Sequence, residues 1–156
     1  MKSESSIYQL YAYPNTYSMG VHLLLEETGV PYVIVNPKTN PSFTDTIFYR
    51  VSPHGRVPAL IFPDGTTMAE SSAIALHLAD ILCEQKFSIK ADSIDRGRYL
   101  QWMFYLSSTL QPDVMIVFHP EHYFPDSERQ DALVVAAENR LNKVWSILEQ
   151  EYSQLN

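Results

Sequence analysis

Tyr13-Pro14-Asn15-Thr16-Tyr17-Ser18, Val57-Pro58 and Glu70-Ser71-Ser72 are the stretches of this chain whose residue types and spacing could do chemistry. The first sets an amide and several hydroxyls between a strand end and a helix start, the usual place for ligands in α/β folds. The second puts a proline at the entrance of a strand, where its missing N–H suits an edge. If that bond is cis, which X-Pro alone tolerates cheaply, the backbone before it turns outward, and an extended peptide could pair with Val57 as an added strand. The third places hydroxyls and free N–H groups at a helix start, where the helix dipole assists an anion. Taken alone, each has a plainer and commoner reading: capping plus turn chemistry for the first, an ordinary trans proline for the second, a simple N-cap for the third.

The elements that must position these stretches are readable from periodicity. Residues 7–12 alternate and favour a strand that Pro14 and Asn15 stop. Ser18 occupies the expected N-cap of a helix carrying Val21, Leu24, Leu25 and Thr28, closed by Gly29 and Pro31. Tyr32–Asn36 is apolar on both faces and predicts a central strand. A short helix is expected from Thr44 to Tyr49, then a hairpin over 58–69 about Pro63-Asp64-Gly65-Thr66. Residues 71–83 predict a helix with Ile74, Ala75, Leu78 and Leu82 on one stripe. The order is βαβ, then α, then ββα. Residues 84–94 read as a linker between a domain at 1–83 and a helical one at 95–156. There, Asp95 to about Phe118 predicts one helix interrupted near Pro112, and Ser127 is expected to cap a second with Leu133, Ala136, Ala137, Leu141, Val144, Trp145 and Leu148 at helical spacing.

Composition narrows the function. With 46% apolar and 19% charged residues, 156 residues can bury a core without metals or disulfides, and the lone Cys83 can form no intrachain bridge. A net charge of −7 with scattered Lys and Arg argues against nucleic acid or an anionic membrane as partner. No signal peptide and no spanning run is visible, so the expectation is a cytoplasmic protein.

Four pieces occur in register: the 13–18 loop; Leu-Leu-Leu-Glu-Glu-Thr-Gly-Val-Pro-Tyr (23–32); Ser-Pro-His-Gly-Arg-Val-Pro-Ala-Leu from Ser52; and Glu-Ser-Ser-Ala-Ile-Ala-Leu-His-Leu-Ala-Asp (70–80). Together they resemble the thioredoxin-like N-terminal domain of bacterial glutathione transferases over residues 7–82. The stretch from Gln101 to the Phe-His-Pro-Glu loop resembles the fourth helix of one bacterial subgroup. The resemblance implies a glutathione transferase that promotes attack of the glutathione thiolate on a small hydrophobic electrophile, needs no further cofactor and forms a homodimer. In that frame Val57, beside a cis Pro58, would pair with the cysteinyl part of glutathione. Glu70 and Ser71 would hold the γ-glutamyl end, and His54 and Arg56 would face the glycyl end. Ser18 leads the candidates for thiolate donor, followed by Tyr17 and then Asn15 and Thr16. Tyr105, Thr109 and Met115 are the candidates for the acceptor pocket.

The departures from the family carry chemistry too. The class with a catalytic cysteine has it directly before the helix-capping serine, where this chain has Tyr17, and no Cys-x-x-Cys is present, so thiol-disulfide exchange is not expected. The histidine of that class midway along the fourth helix is replaced by Gln111. The family continues with further helices beyond the position of Asn156, so the second domain reads as partial, through a truncated or a shortened chain. The alternative function is a non-catalytic binding or regulatory protein on the same fold. Cys83 reads as structural, and His22 and His77 as surface or packing residues. Tyr99, Trp102, Phe104 and Tyr105 read as core or interface. His119 and His122 flank Glu121 in a proline-bearing loop, but no third ligand is evident and no metal is expected.

Overall fold

A computed structural model of the chain describes residues 7–39, 45–82 and 86–154; Cys83, Thr44 and the first linker residues, 84 and 85, lie outside them. Two compact units are present, one ending at Arg96 and one starting at Gly97.

The first unit runs β1 (Tyr8–Tyr11), α1 (Ser18–Thr28), β2 (Tyr32–Val35), α2 (Asp45–Val51), β3 (Ala59–Ile61), β4 (Thr67–Ala69) and α3 (Ser71–Leu82). This is the thioredoxin-like βαβ-α-ββα order expected from the sequence. The strand order is β2-β1-β3-β4, with β1 parallel to β2 and antiparallel to β3. Alternation along β1 feeds two cores. Leu10 is fully buried with Val21, Leu25, Leu60, Ile74 and Leu78, which places α1 and α3 on one face. Tyr11 packs on the other with Val51 and Ala59, backed by Phe48 of α2. Gly29 ends α1 in the left-handed conformation at φ 66°, its N–H donating to the Leu25 and Glu26 carbonyls.

Two expectations need correction. The strand read as central, β2, is an edge, and Val33 and Ile34 are 41% and 47% exposed. Central position belongs to β1 and β3, whose register is fixed by long-range pairing that an apolar run does not encode. The second correction concerns α1. Tyr17, not Ser18, is its N-cap and gives no side-chain cap; Ser18 is the first helical residue and only 2% exposed.

Beyond α3 the chain returns to that helix. Arg96 donates from Nη1 and Nη2 to the two Asp80 carboxylate oxygens at 2.8 and 2.7 Å, beside a pocket of about 360 Å3 lined by Ser88, Ile89 and Lys90. The Arg96 hydrogen bond, then that of Ser88, pulls the Asp80 carboxyl down to about 2. Its folded value lies below the ordinary one, so this stabilisation is complete above about pH 4 and drains as pH falls toward 2. Asp80 is 35% exposed, and solvent screening leaves about 1 kcal/mol. Asp80→Asn is therefore expected to lower the denaturant midpoint at pH 7 and to flatten its acid dependence; an unchanged acid dependence would rule the pair out.

The second unit holds the rest of α4 (Arg96–Tyr105), a π-helical turn (Leu106–Leu110), α5 (Gln111–Phe118), a 3-10 turn (Pro120–His122) and α6 (Ser127–Ser153). The expected interruption near Pro112 is this π turn, in which the Gln111 N–H reaches the Leu106 carbonyl. Proline lacks an N–H and its ring displaces the carbonyl one turn back, so the ladder widens before it. Asp126 caps α6, its carboxylate accepting from the Glu128 N–H at 3.1 Å, one residue ahead of the expected Ser127. Ala137, Leu141 and Val144 are buried as their spacing requires, whereas Trp145 is half exposed. No helix among the described residues is long and apolar enough to cross a membrane.

Candidate functional site

The ladder decides what stands together at one end of the sheet. Tyr11 ends β1 opposite Ala59, the first residue of β3, and Ala59 stands opposite Ala69, the last of β4. The loop after β1 (12–17), the loop before β3 (52–58) and the α3 start (Glu70-Ser71) therefore leave the sheet at the same end. Val35 pairs with Tyr11, so the residues after β2 leave there as well.

In the loop before β3, the Ser52 hydroxyl donates to the Arg56 carbonyl at 2.7 Å and accepts from the Arg56 N–H at 3.1 Å. Gly55 turns this loop at φ 63°, and a Cβ there would lie 2.8 Å from the Tyr49 ring, so any side chain costs both strain and space. His54 and Arg56 are exposed. The Val57–Pro58 peptide is cis, and the ladder begins only at Ala59. The backbone of Val57 stands outside that ladder, half-buried, with His54 and Arg56 just before it in sequence.

Glu70 is exposed and holds φ 72°, in the left-handed region that a residue with a Cβ seldom occupies. Its carbonyl receives the first helical N–H, from Ile74 at 2.9 Å. The N–H groups of Ser71, Ser72 and Ala73 are left as the open donors of the α3 start, with the positive end of the helix dipole behind them.

Loop 13–17 is braced from within. The Thr16 hydroxyl donates to the Tyr13 carbonyl at 2.8 Å, lies 2.6 Å from the Ser18 hydroxyl, and Ser18 Oγ reaches the same carbonyl at 3.3 Å. Two hydroxyl protons thus serve one carbonyl and each other. Asn15 is exposed at φ 60° and its amide forms no hydrogen bond among the described residues. Lys38, absent from the sequence-based candidates, holds its ammonium 4.1 Å from the Tyr13 ring centre. A single lysine in a loop gives no signal in sequence; only the pairing of Val35 with Tyr11 carries it to this end. Lys38 and Arg56, the exposed His54 and the starts of α1 and α3 thus lie on segments that leave the sheet at this end, beside the exposed Glu70.

Of the acceptor-pocket candidates, Tyr105 ends α4 half-buried in edge-to-face contact with Trp102, Thr109 is exposed in the π turn, and Met115 is half-buried in α5.

The glutathione S-transferase N-terminal domain model matches residues 16–81. Over 149 residues the chain is 28% identical to the glutathione S-transferase GstA of Escherichia coli O157:H7, which covers 92% of this chain and 71% of that protein. A solved glutathione transferase from Methylococcus capsulatus strain Bath is 27% identical, with a TM-score of 0.74 over 92% of this chain and 70% of its own. A homologue from Sulfitobacter, solved with bound glutathione, shares the fold at 22% identity, with a TM-score of 0.75 over 92% of this chain and 69% of its own.

Proposed function

We propose that this chain is a member of the glutathione S-transferase family, whose N-terminal domain model it matches over 16–81, and that its first unit binds glutathione and readies the thiolate for attack on a small hydrophobic electrophile. The observation that carries the reading is the convergence of the unladdered Val57 backbone, the strained Glu70 before the open N–H groups of α3, and the cations at one sheet end. Glutathione offers complementary groups: a peptide backbone for Val57, an α-ammonium and α-carboxylate for Glu70 and Ser71, and a glycyl carboxylate for Lys38, His54 and Arg56. The Sulfitobacter homologue, alike in fold, was solved with bound glutathione, which supports the choice of ligand. Asn15 is the donor best placed to stabilise the thiolate, ahead of Ser18.

Glutathione affinity measured by calorimetry, beside turnover with an aryl chloride, tests both halves. Binding with turnover is expected; binding without turnover would replace the transferase by a glutathione-binding protein, and no binding would overturn the reading. Ser71→Ala is expected to weaken glutathione about ten-fold or more, since a hydrogen bond to a charged group contributes roughly 1.5–3 kcal/mol. Unchanged affinity with a lowered melting temperature would leave Ser71 only its place in the helix.

Pairing of two copies is part of the same proposal. Phe104 and Phe118 are 61% and 73% exposed, an apolar display that a partner surface would cover. Light scattering should give twice the chain mass at tens of micromolar, and a monomer there would refute the dimer.

A further inference from the structure

We propose that His119, Glu121 and His122 form a zinc site at the turn between α5 and α6. His119 Nδ1 and His122 Nε2 lie 3.2 and 3.9 Å from the same carboxylate oxygen, Glu121 Oε1, and the ligand atoms all fall within 4.8 Å of one another. The sequence offers Glu121 only as a residue between two histidines; its side chain, with Oε1 turned toward both imidazoles, supplies the missing third ligand.

The backbone explains the convergence. Three residues per turn bring positions i and i+3 to one side, and the His122 N–H closes the turn on the His119 carbonyl at 3.1 Å. The imidazole rings consequently stack, 12° from parallel with centres 5.1 Å apart. The turn is also anchored. Tyr123 and Phe124 both donate N–H groups to the Pro120 carbonyl at 3.0 Å, and the Gln130 amide of α6 donates to the Phe124 carbonyl at 2.8 Å.

The chemistry of the donors selects the ion. Two imidazoles and a carboxylate suit zinc or its transition-metal neighbours, whereas magnesium and calcium take oxygen ligands. Zinc bonds of about 2.0–2.1 Å in a tetrahedron separate ligand atoms by about 3.3 Å; the His119–Glu121 distance of 3.2 Å matches this, and the His122–Glu121 distance of 3.9 Å closes to it by a side-chain rotation that the exposure of the groups permits. All three side chains are exposed, so the ion can enter and water can fill the remaining position. The nearby cation, Arg129, is already engaged with the Asp126 carboxylate at 3.6 Å and the Phe124 ring.

The test is calorimetric titration of untagged full chain with zinc chloride, repeated with magnesium. One zinc per chain is expected, with no magnesium heat, and His119→Ala or His122→Ala should each weaken zinc at least about ten-fold. Glu121→Gln should weaken it as well. All three positions are exposed, so the variants are expected to keep the helical circular dichroism of the parent. Absence of zinc binding would overturn the site, as would binding that survives in the His119→Ala/His122→Ala double variant, since it would then belong elsewhere in the chain, at Cys83 or the other histidines.

Discussion

Arg140→Ala is expected to cost the helical unit about 2–3 kcal/mol, read as a lowered denaturant midpoint with little change in slope. Asp113 is 7% exposed, and both its oxygens take the Arg140 Nε–H, at 2.9 and 3.0 Å, while Nη2 donates at 2.6 Å. Removing the guanidinium strands a carboxylate that water reaches poorly. Breaking a fully buried pair costs about 3–5 kcal/mol. One feature moderates the figure here. Arg140 is 49% exposed, so water follows it into the gap. Arg140→Lys should recover only part of the loss, because an ammonium cannot reproduce the two-pronged contact. Asp113→Leu with Arg140→Met should recover more than either single change, since no unpaired charge remains. A midpoint within about 0.5 kcal/mol of the parent for Arg140→Ala would mark the pair as an ordinary surface one.

What the sequence made legible is what short-range chemistry decides. The 58–69 hairpin follows from Pro63-Asp64-Gly65-Thr66, and the structure shows why: the Asp64 carboxylate accepts from the Thr66 N–H at 2.9 Å while Phe62 and Thr66 close the turn at 2.8 Å. Gly29 with Pro31 ends α1 for the same local reason. The strand order was not legible. An apolar Tyr-Val-Ile-Val run says that burial is available, not which neighbour supplies it, and β2 became an edge. Adjacent polar residues also defeat cap assignment. Asp126 and Ser127 can both accept from a helix N–H, as a hydroxyl at Ser18 can, and the backbone's entry angle chooses between them. At the site, the expected glutathione-facing residues, His54, Arg56, Val57, Pro58, Glu70 and Ser71, came from pieces in register. Lys38, proposed beside them, did not, because its place depends on strand pairing. Nor did the ranking within the 15–18 loop, which turns on hydroxyl protons that spacing cannot count.

That ranking is where the second large effect is expected: Asn15→Gly should lower kcat/KM with an aryl chloride at neutral pH about ten- to twenty-fold. The Ser18 and Thr16 hydroxyls have partners in the Tyr13 carbonyl and in each other, and Ser18 is buried. Tyr17 stands half-buried at the α1 N-cap position. The Asn15 amide is exposed and carries two N–H donors. A free thiol with pKa near ~8.5 is only a few per cent ionised at neutral pH. One donor to the charged form, at roughly 1.5–3 kcal/mol, lowers that pKa by about one to two units, which accounts for the expected loss. Glycine is the informative replacement because Asn15 holds φ 60°, where alanine would add strain to the loss of the amide and blur the cause. Glycine keeps the backbone and removes only the side chain. The pH profile carries the decision. With Asn15→Gly the acidic limb of turnover should move up by about one to two units, while Ser18→Ala should lower the melting temperature and leave the limb in place. Should the limb stay put in Asn15→Gly and move in Ser18→Ala or Tyr17→Phe, the donor is that hydroxyl. If no variant moves it, the α1 start and the backbone alone stabilise the thiolate, and the side chain of Asn15 has no part in it.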